Sequence, residues 1–201
     1  MEIINTPIDG LQVIAPAVFR DARGYFCETF RESWLPETHF VQDNESCSSY
    51  GVMRGLHFQR PPFTQAKLVR CMQGAVLDVA VDIRVGSPTF GKHHSVLLCG
   101  PDMLSDDAPA VVGFTREEVQ AAAHRQFFIG HGFAHGFSVL SPRAIFCYKC
   151  DNTYHPEADG GICITDPSLG IDWHLDPSTA LLSEKDTKHA CLADFDSPFR
   201  Y

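Results

Sequence analysis

Over residues 76–83 the chain alternates without a break: Leu77, Val79, Val81 and Ile83 face one way, Val76, Asp78, Ala80 and Asp82 the other. A period of two marks a strand whose faces meet different surroundings. The Asp78 face suits a pocket inside a barrel or open solvent equally well, and the alternation does not choose. Further short apolar runs lie at 68–72, 95–99, 127–129, 137–140 and 144–148. Clusters of turn formers separate them, such as Gly86-Ser87-Pro88, Gly100-Pro101-Asp102 and Ser141-Pro142-Arg143. Many short strands at this spacing predict an all-β sandwich or barrel and argue against alternating β–α units. Helix signals are few. Residues 28–37 suit one short helix ending near Pro36, and Thr115-Arg116-Glu117-Glu118 reads as a capping box opening a helix through Val119 to about Ala123. That helix closes a polar, irregular stretch at 100–123, which reads as an insertion between two strands. With no internal repeat, low-complexity tract or linker, residues 1–201 are expected to form a single domain.

Composition narrows the classes without changing that picture. A chain of 201 residues with 44% hydrophobic and 20% charged residues is long enough for one substantial core. The formal net charge of −9 argues against general binding to nucleic acid or membrane surfaces, which needs broad basic surface. It leaves room for an anionic small molecule held by a few arginines. No apolar run is long enough to span a membrane, and Met1-Glu2-Ile3-Ile4 carries neither a basic leader nor an apolar signal core. A cytoplasmic location is therefore expected. Of the eight cysteines, Cys147 and Cys150 form a C-x-x-C with no second pair at zinc-ribbon distance, so reduced thiols are expected throughout.

Candidate chemistry concentrates in Arg54-Gly55-Leu56-His57-Phe58-Gln59 and, just beyond it, Gln65-Ala66-Lys67-Leu68-Val69-Arg70. Two strand-like runs each present a titratable side chain. An imidazole and an ammonium in one cleft suit the removal of a carbon-bound proton and the stabilisation of the resulting enolate. By pattern alone, a His between Leu and Phe reads more readily as a core residue. Other segments shift that balance. Residues 19–26 and 42–46 read as polar turns carrying Arg, Gln and Asn beside aromatics. The glycine-punctuated turn Gly130-His131-Gly132-Phe133-Ala134-His135-Gly136-Phe137 would let backbone approach a ligand closely. Tyr148-Lys149, Tyr154 and Leu182-Ser183-Glu184-Lys185-Asp186 complete the set.

With these segments taken together, the chain resembles the dTDP-4-dehydrorhamnose 3,5-epimerase family of nucleotide-sugar epimerases. The resemblance runs in order over nearly the whole chain: DxRGxF at 21–26, QDN at 42–44, RGLHFQ at 54–59, QxKLVR at 65–70, DVAVDIR at 78–84, SPTFGK at 87–92, GFAHGF at 132–137, YK at 148–149 and LSxKD at 182–186. Each piece is weak alone; in sequence they are specific. The resemblance implies a cupin-type β-barrel or jelly roll, a homodimer, and no metal or organic cofactor. It implies a nucleoside-diphospho-4-keto-6-deoxyhexose substrate, whose ketone acidifies the hydrogens at C3 and C5. On the same basis His57 is the expected base, oriented by Asp186, with Tyr148 delivering a proton from the opposite face and Lys67 beside the C4 oxygen. Asp78 and His135 match sugar-contacting or supporting positions. Arg23 and Arg54 match phosphate-contacting positions, and an acidic protein that takes a pyrophosphate needs such guanidiniums. Phe26, Glu28, Gln42, Asn44 and Tyr154 match residues around the nucleotide, some supplied across the dimer by an exchanged N-terminal strand.

Departures from the family pattern are few. The proline usual before GFAHGF is absent, Thr153 precedes Tyr154, Ala66 stands where glycine is common, and 100–123 is about twenty residues longer than a hairpin loop requires. Three rivals stay open at this level. One is a 3- or 5-monoepimerase of a related nucleotide sugar. Another is a metal-dependent cupin, suggested by His93-His94 and the spacing of His131 and His135. The third is a non-catalytic sugar-nucleotide binding module.

Overall fold

Thirteen strands and one α-helix make up the regular structure of residues 1–201, all of which the computed structural model describes. In chain order they are β1 (Glu2–Asn5), β2 (Leu11–Ala15), β3 (Val18–Asp21), β4 (Gly24–Cys27), β5 (Gln42–Ser49), β6 (Met53–Gln59), β7 (Lys67–Gln73), β8 (Ala75–Asp82) and β9 (His93–Cys99). There follow α1 (Arg116–Ala122), β10 (Gln126–Ile129), β11 (Phe133–Val139), β12 (Arg143–Cys150) and β13 (Asp159–Gly161). One sheet has the order β1-β2-β10-β7-β12-β5 and the other β13-β6-β11-β8-β9, with every neighbouring pair antiparallel. Strands β3 and β4 pair only with each other.

The two sheets face one another, as in the sandwich or barrel that the strand pattern predicts and the cupin type that the family resemblance implies. Every residue of β8 is buried, because its two faces meet two different cores. Val76 and Ala80 enter a cluster between the sheets with Val69, Phe127, Phe137 and Phe146. Leu77, Val79 and Val81 enter a second cluster on the outer face of the five-stranded sheet with Leu97, Trp173 and Phe199. That outer face would be wet in a bare sandwich. Met103, Val111, Val119 and Ala122 from residues 100–123 help to cover it. A smaller third cluster, Ile14, Trp34, Leu35 and Leu68, seals part of the outer face of the six-stranded sheet.

The capping box forms as the sequence predicts: the Glu118 amide donates to Thr115 Oγ1 at 3.2 Å, and the Thr115 amide donates to Glu118 Oε2 at 2.7 Å. Two local readings are corrected. Residues 28–37 contain only a single 3-10 turn, Glu32–Trp34, because Trp34 and Leu35 anchor the segment against Ile14 and Leu68 before a second turn can form. Residues 42–46 are not a turn but the start of β5, an edge strand whose polar composition reflects one solvated face. All eight cysteines are free, and no helix is long and apolar enough to cross a membrane.

Candidate active site

The apolar filling between the sheets gives way to polar side chains at one end, and strand alternation decides which ones. His57 lies on β6 directly across from His135 on β11, both in the five-stranded sheet. Lys67 on β7 and Tyr148 on β12 belong to the facing six-stranded sheet. Together they line a cavity of about 440 Å³ that also takes in Arg54 and Asp186. A second chamber of about 390 Å³ shares His57, Lys67 and Tyr148 and adds Gln42, Asn44, Gln59 and Tyr154. The three shared residues form a waist between two compartments.

His57 Nε2 meets Asp186 Oδ1 at 2.5 Å across 129 residues of sequence. Asp186 opens a 3-10 turn, Asp186–Lys188, and its side chain is 2% exposed against 30% for the histidine. Burial alone would raise the Asp186 carboxyl, but hydrogen bonds from His57 and Ser183 outweigh it and hold the group below its ordinary value. An ionised carboxylate accepts, so Nε2 carries the ring proton and Nδ1 keeps its lone pair. No protein group bonds Nδ1. The dyad thus has the form of a general base.

The other groups are tuned mainly by desolvation. Burial pushes the Lys67 ammonium down from its ordinary value, against the opposing pull of the nearby carboxyls of Asp78 and Asp159. It pushes the Tyr148 phenol up, so that the hydroxyl stays protonated and able to donate. The Cys150 thiol is pushed up to about 11 and remains a thiol. Asp78 is fully buried and accepts from His135 Nε2 at 2.9 and 3.0 Å. Burial raises the Asp78 carboxyl and lowers the His135 imidazole, disfavouring charge on both. Of the two orientations the alternation allowed, Asp78 therefore takes the inward one, behind the cavity wall that His135 forms.

Arg54 and the glycines depend on how closely β6 and β11 approach. A Cβ at Gly55, where φ is +123°, would sit 2.5 Å from Gly136 Cα, and one at Gly136 would sit 2.5 Å from the Arg54 carbonyl. Gly55 of RGLHFQ and Gly136 of GFAHGF thus serve strand-to-strand contact, a different use from the ligand approach expected from the turn pattern. The Arg54 guanidinium, held by Ser48 Oγ at 3.0 and 3.1 Å, has no carboxylate partner. It is available to an anion.

The chain matches the family described as dTDP-4-dehydrorhamnose 3,5-epimerase over residues 5–105 and 102–194. It belongs to that family. The epimerase of Methanothermobacter thermautotrophicus is 46% identical over 188 residues, covering 91% of this chain and 90% of that protein. The Escherichia coli K12 epimerase is 45% identical over 195 residues, covering 94% and 92%. A crystal structure of the Legionella pneumophila dTDP-6-deoxy-D-glucose-3,5-epimerase in complex with dTDP-4-keto-L-rhamnose superposes with a TM-score of 0.83. It is 44% identical and covers 100% of this chain and 98% of that one.

The dTDP-4-dehydrorhamnose 3,5-epimerase motifs do not all converge. His57, Lys67, Tyr148, Asp186, Arg54 and His135 meet at the first chamber, and Gln42, Asn44 and Tyr154 at the second. There Gln42 Nε2 donates to Asn44 Oδ1 at 3.0 Å, and its Oε1 accepts from the Tyr154 amide at 3.0 Å. Arg23, Phe26 and Glu28 line neither chamber. Arg23 sits at the tip of the β3–β4 hairpin, 90% exposed and paired only with Asp21 at 2.6 Å. Phe26 is 68% exposed, and Glu28 pairs with Arg31 at 2.9 Å.

Of the other residues lining the second chamber, Gln59, Gln65 and Lys185 lie within the epimerase motifs but were assigned no role there, and Asp159, ion-paired with Lys185, lies outside them. Gln59 was within reach of the alternation, since it shares a strand face with His57 two residues away. Asp159 was not, because its place follows from β13 pairing with β6. The histidines that suggested a metal-dependent cupin go separate ways. His131 bonds Asp151 at 2.7 Å, His135 bonds Asp78, and His94 lies beside Phe127.

Proposed function

We propose that this chain inverts C3 and C5 of dTDP-4-dehydro-6-deoxy-D-glucose to give dTDP-4-dehydro-L-rhamnose, within dTDP-L-rhamnose biosynthesis. The observation that carries the reading is the pairing of a carboxylate-held His57 on one sheet with Lys67 and Tyr148 on the sheet facing it, across one cavity. His57 Nδ1 removes the proton alpha to the ketone, and Asp186 stabilises the imidazolium that forms. The desolvated Lys67 ammonium stabilises the C4 enolate, an interaction worth about 3–4 kcal/mol for a preorganised donor. Tyr148, protonated and on the opposite wall, returns a proton to the other face of the carbon. Arg54 takes the diphosphate and the second chamber takes the nucleoside. No step calls for a metal or an organic cofactor.

The same reading takes residues 1–201 as one epimerase domain with an insertion at about 100–123. Support comes from the outer core, which runs from Met53 to Phe199 and includes Met103 and Val119. It also takes the protein as a cytoplasmic homodimer in which Arg23, Phe26 and Glu28 reach the partner's cavity on an exchanged N-terminal strand. The β3–β4 hairpin supports this: it joins neither sheet, and it exposes Phe19, Tyr25 and Phe26 together.

Proton NMR of dTDP-4-keto-6-deoxyglucose with the protein in deuterated water tests the function. Deuterium at both C3 and C5, with rhamno-configured product after reduction, is expected. Washout at one carbon makes the protein a monoepimerase, and no washout with this or other nucleotide sugars makes it a binding module.

A further inference from the structure

One half-buried histidine near the dyad takes no part in the mechanism. His189 follows the turn that carries Asp186, and its ring stands edge-on to His57 with centroids 5.8 Å apart. Its position is set by β13: a Cβ at Gly161 would lie 2.5 Å from His189 Nε2, so only glycine leaves room for the ring. Yet His189 Nε2 is buried without any hydrogen-bond partner. A buried nitrogen left unsatisfied carries a desolvation cost with no return in folding, and so needs an explanation. Donor atoms of His57, Asp186 and His189 all lie within 4.8 Å of one another, the one group of three such side chains in the chain.

We propose that His57, Asp186 and His189 form a binding site for a divalent transition-metal ion of the zinc class, and that filling it switches the catalytic base off. Two imidazoles and one carboxylate suit borderline ions such as zinc and cobalt and suit magnesium or calcium poorly. A tetrahedral ion bound at 2.0–2.2 Å needs donors about 3.3 Å apart. His57 and Asp186, now at 2.5 Å, part by less than about 1 Å, and the His189 ring swings inward from a separation no greater than 4.8 Å.

Inhibition follows from the two nitrogens of one ring. In the metal-free dyad the proton sits on Nε2 and Nδ1 is the base. A metal ion on Nε2 replaces the proton there, the N–H bond breaking as the metal–nitrogen bond forms, and the displaced proton moves through solvent to Nδ1. A protonated Nδ1 accepts nothing. The ion thus disables His57 without entering the sugar or nucleotide chambers, and inhibition should be non-competitive in kcat while the metal stays bound. This last consequence rests on the epimerase reading above; the binding site itself does not.

Calorimetric titration of zinc chloride into untagged, chelator-treated protein tests the site independently of activity. One equivalent should bind, and His189→Ala should weaken that binding at least tenfold. Cobalt(II) provides a second readout should that variant fold poorly: intense visible absorption of a four-coordinate ion is expected in the wild type and lost in His189→Gln. In the deuterium-washout assay zinc should suppress exchange at C3 and C5, and EDTA should restore it. His189→Ala should exchange normally without zinc and tolerate at least tenfold more of it. Equal zinc binding or equal sensitivity in wild type and variant would overturn the proposal, because the ion would then be acting at other histidines. A zinc-free wild type that binds one equivalent but never exchanges deuterium would overturn the epimerase reading and leave the site standing.

Discussion

The position of a single proton on His57 decides whether the ring can act as a base, and Asp186 sets it. Asp186→Asn preserves the size of that side chain but lets an amide donate to Nε2, which moves the ring proton to Nδ1. Turnover should fall about 10²–10⁴-fold with KM little changed, as for a triad carboxylate replaced by its amide; steady-state kinetics showing a loss under tenfold would remove the orienting role. His57 and Lys67 stood out in the sequence as titratable groups on two strand-like runs, but pattern alone favoured a core reading of His57, and its role and those of Lys67 and Tyr148 came from the family resemblance. Their partners were legible only through the family resemblance. Asp186 reaches His57 across 129 positions, and no local pattern reports a contact of that range. The depth of Asp78 was equally hidden, since alternation tells faces apart without saying what covers them. His189 left no sequence signal at all: its burial depends on Gly161 yielding space to it.

Elements set the distance between these side chains, above all the close crossing of β6 and β11. Because Gly55 has a φ of +123° and no space for a side chain against Gly136, Gly55→Ala forces the two strands apart. It should cost about 3 kcal/mol or more, combining a disfavoured backbone with a steric clash. The urea midpoint checks that, and residual activity should fall further than stability alone explains, because His57 and His135 pair across the same crossing. What could be read from sequence at this scale was what is locally determined. The period-two pattern of β8 and the Thr115 capping box are decided within a few residues, and both formed. Residues 28–37 were decided instead by Trp34 and Leu35 docking on a distant sheet, and 42–46 by the edge position of β5. Tertiary context overrode propensity in both places.

For the whole molecule, acid sensitivity follows from several carboxylates at once. Burial opposes ionisation of Asp82, Asp166 and Asp186, but the hydrogen bonds each receives leave all three below their ordinary value in the folded protein. A carboxyl with a depressed folded pKa stabilises the protein above its unfolded value and loses that contribution as pH falls through the folded one. Asp78, raised by burial, acts in the opposite sense. The Asp78 effect is confined to pH above the ordinary carboxyl value, so the three losses act unopposed by it at lower pH and the denaturation midpoint should drop steeply below about pH 4; tryptophan fluorescence of Trp34 and Trp173 would follow it, and a flat profile would contradict the assignment. The proposed exchange of the hairpin between protomers has its own test. Arg23→Ala and His57→Ala chains, each inactive or impaired alone, should regain roughly a quarter of wild-type activity when refolded together, because half of random dimers are mixed and half of their sites are intact. Recovery no greater than that of the separate variants would place Arg23 in its own chain's site.

The reach from His57 to Asp186 also imposes an order on how the enzyme comes into being. A chain emerging from the ribosome presents His57, then Lys67, then Tyr148, and completes all thirteen strands by Gly161. Only about twenty-five residues later does it make the carboxylate that fixes the tautomer of a ring already waiting in the barrel. At Gly161 a nascent chain therefore holds every strand while its cavity still lacks Leu181, Leu182, Ser183 and Asp186 and its outer core still lacks Trp173 and Phe199, so the scaffold of strands precedes the chemistry it is to hold.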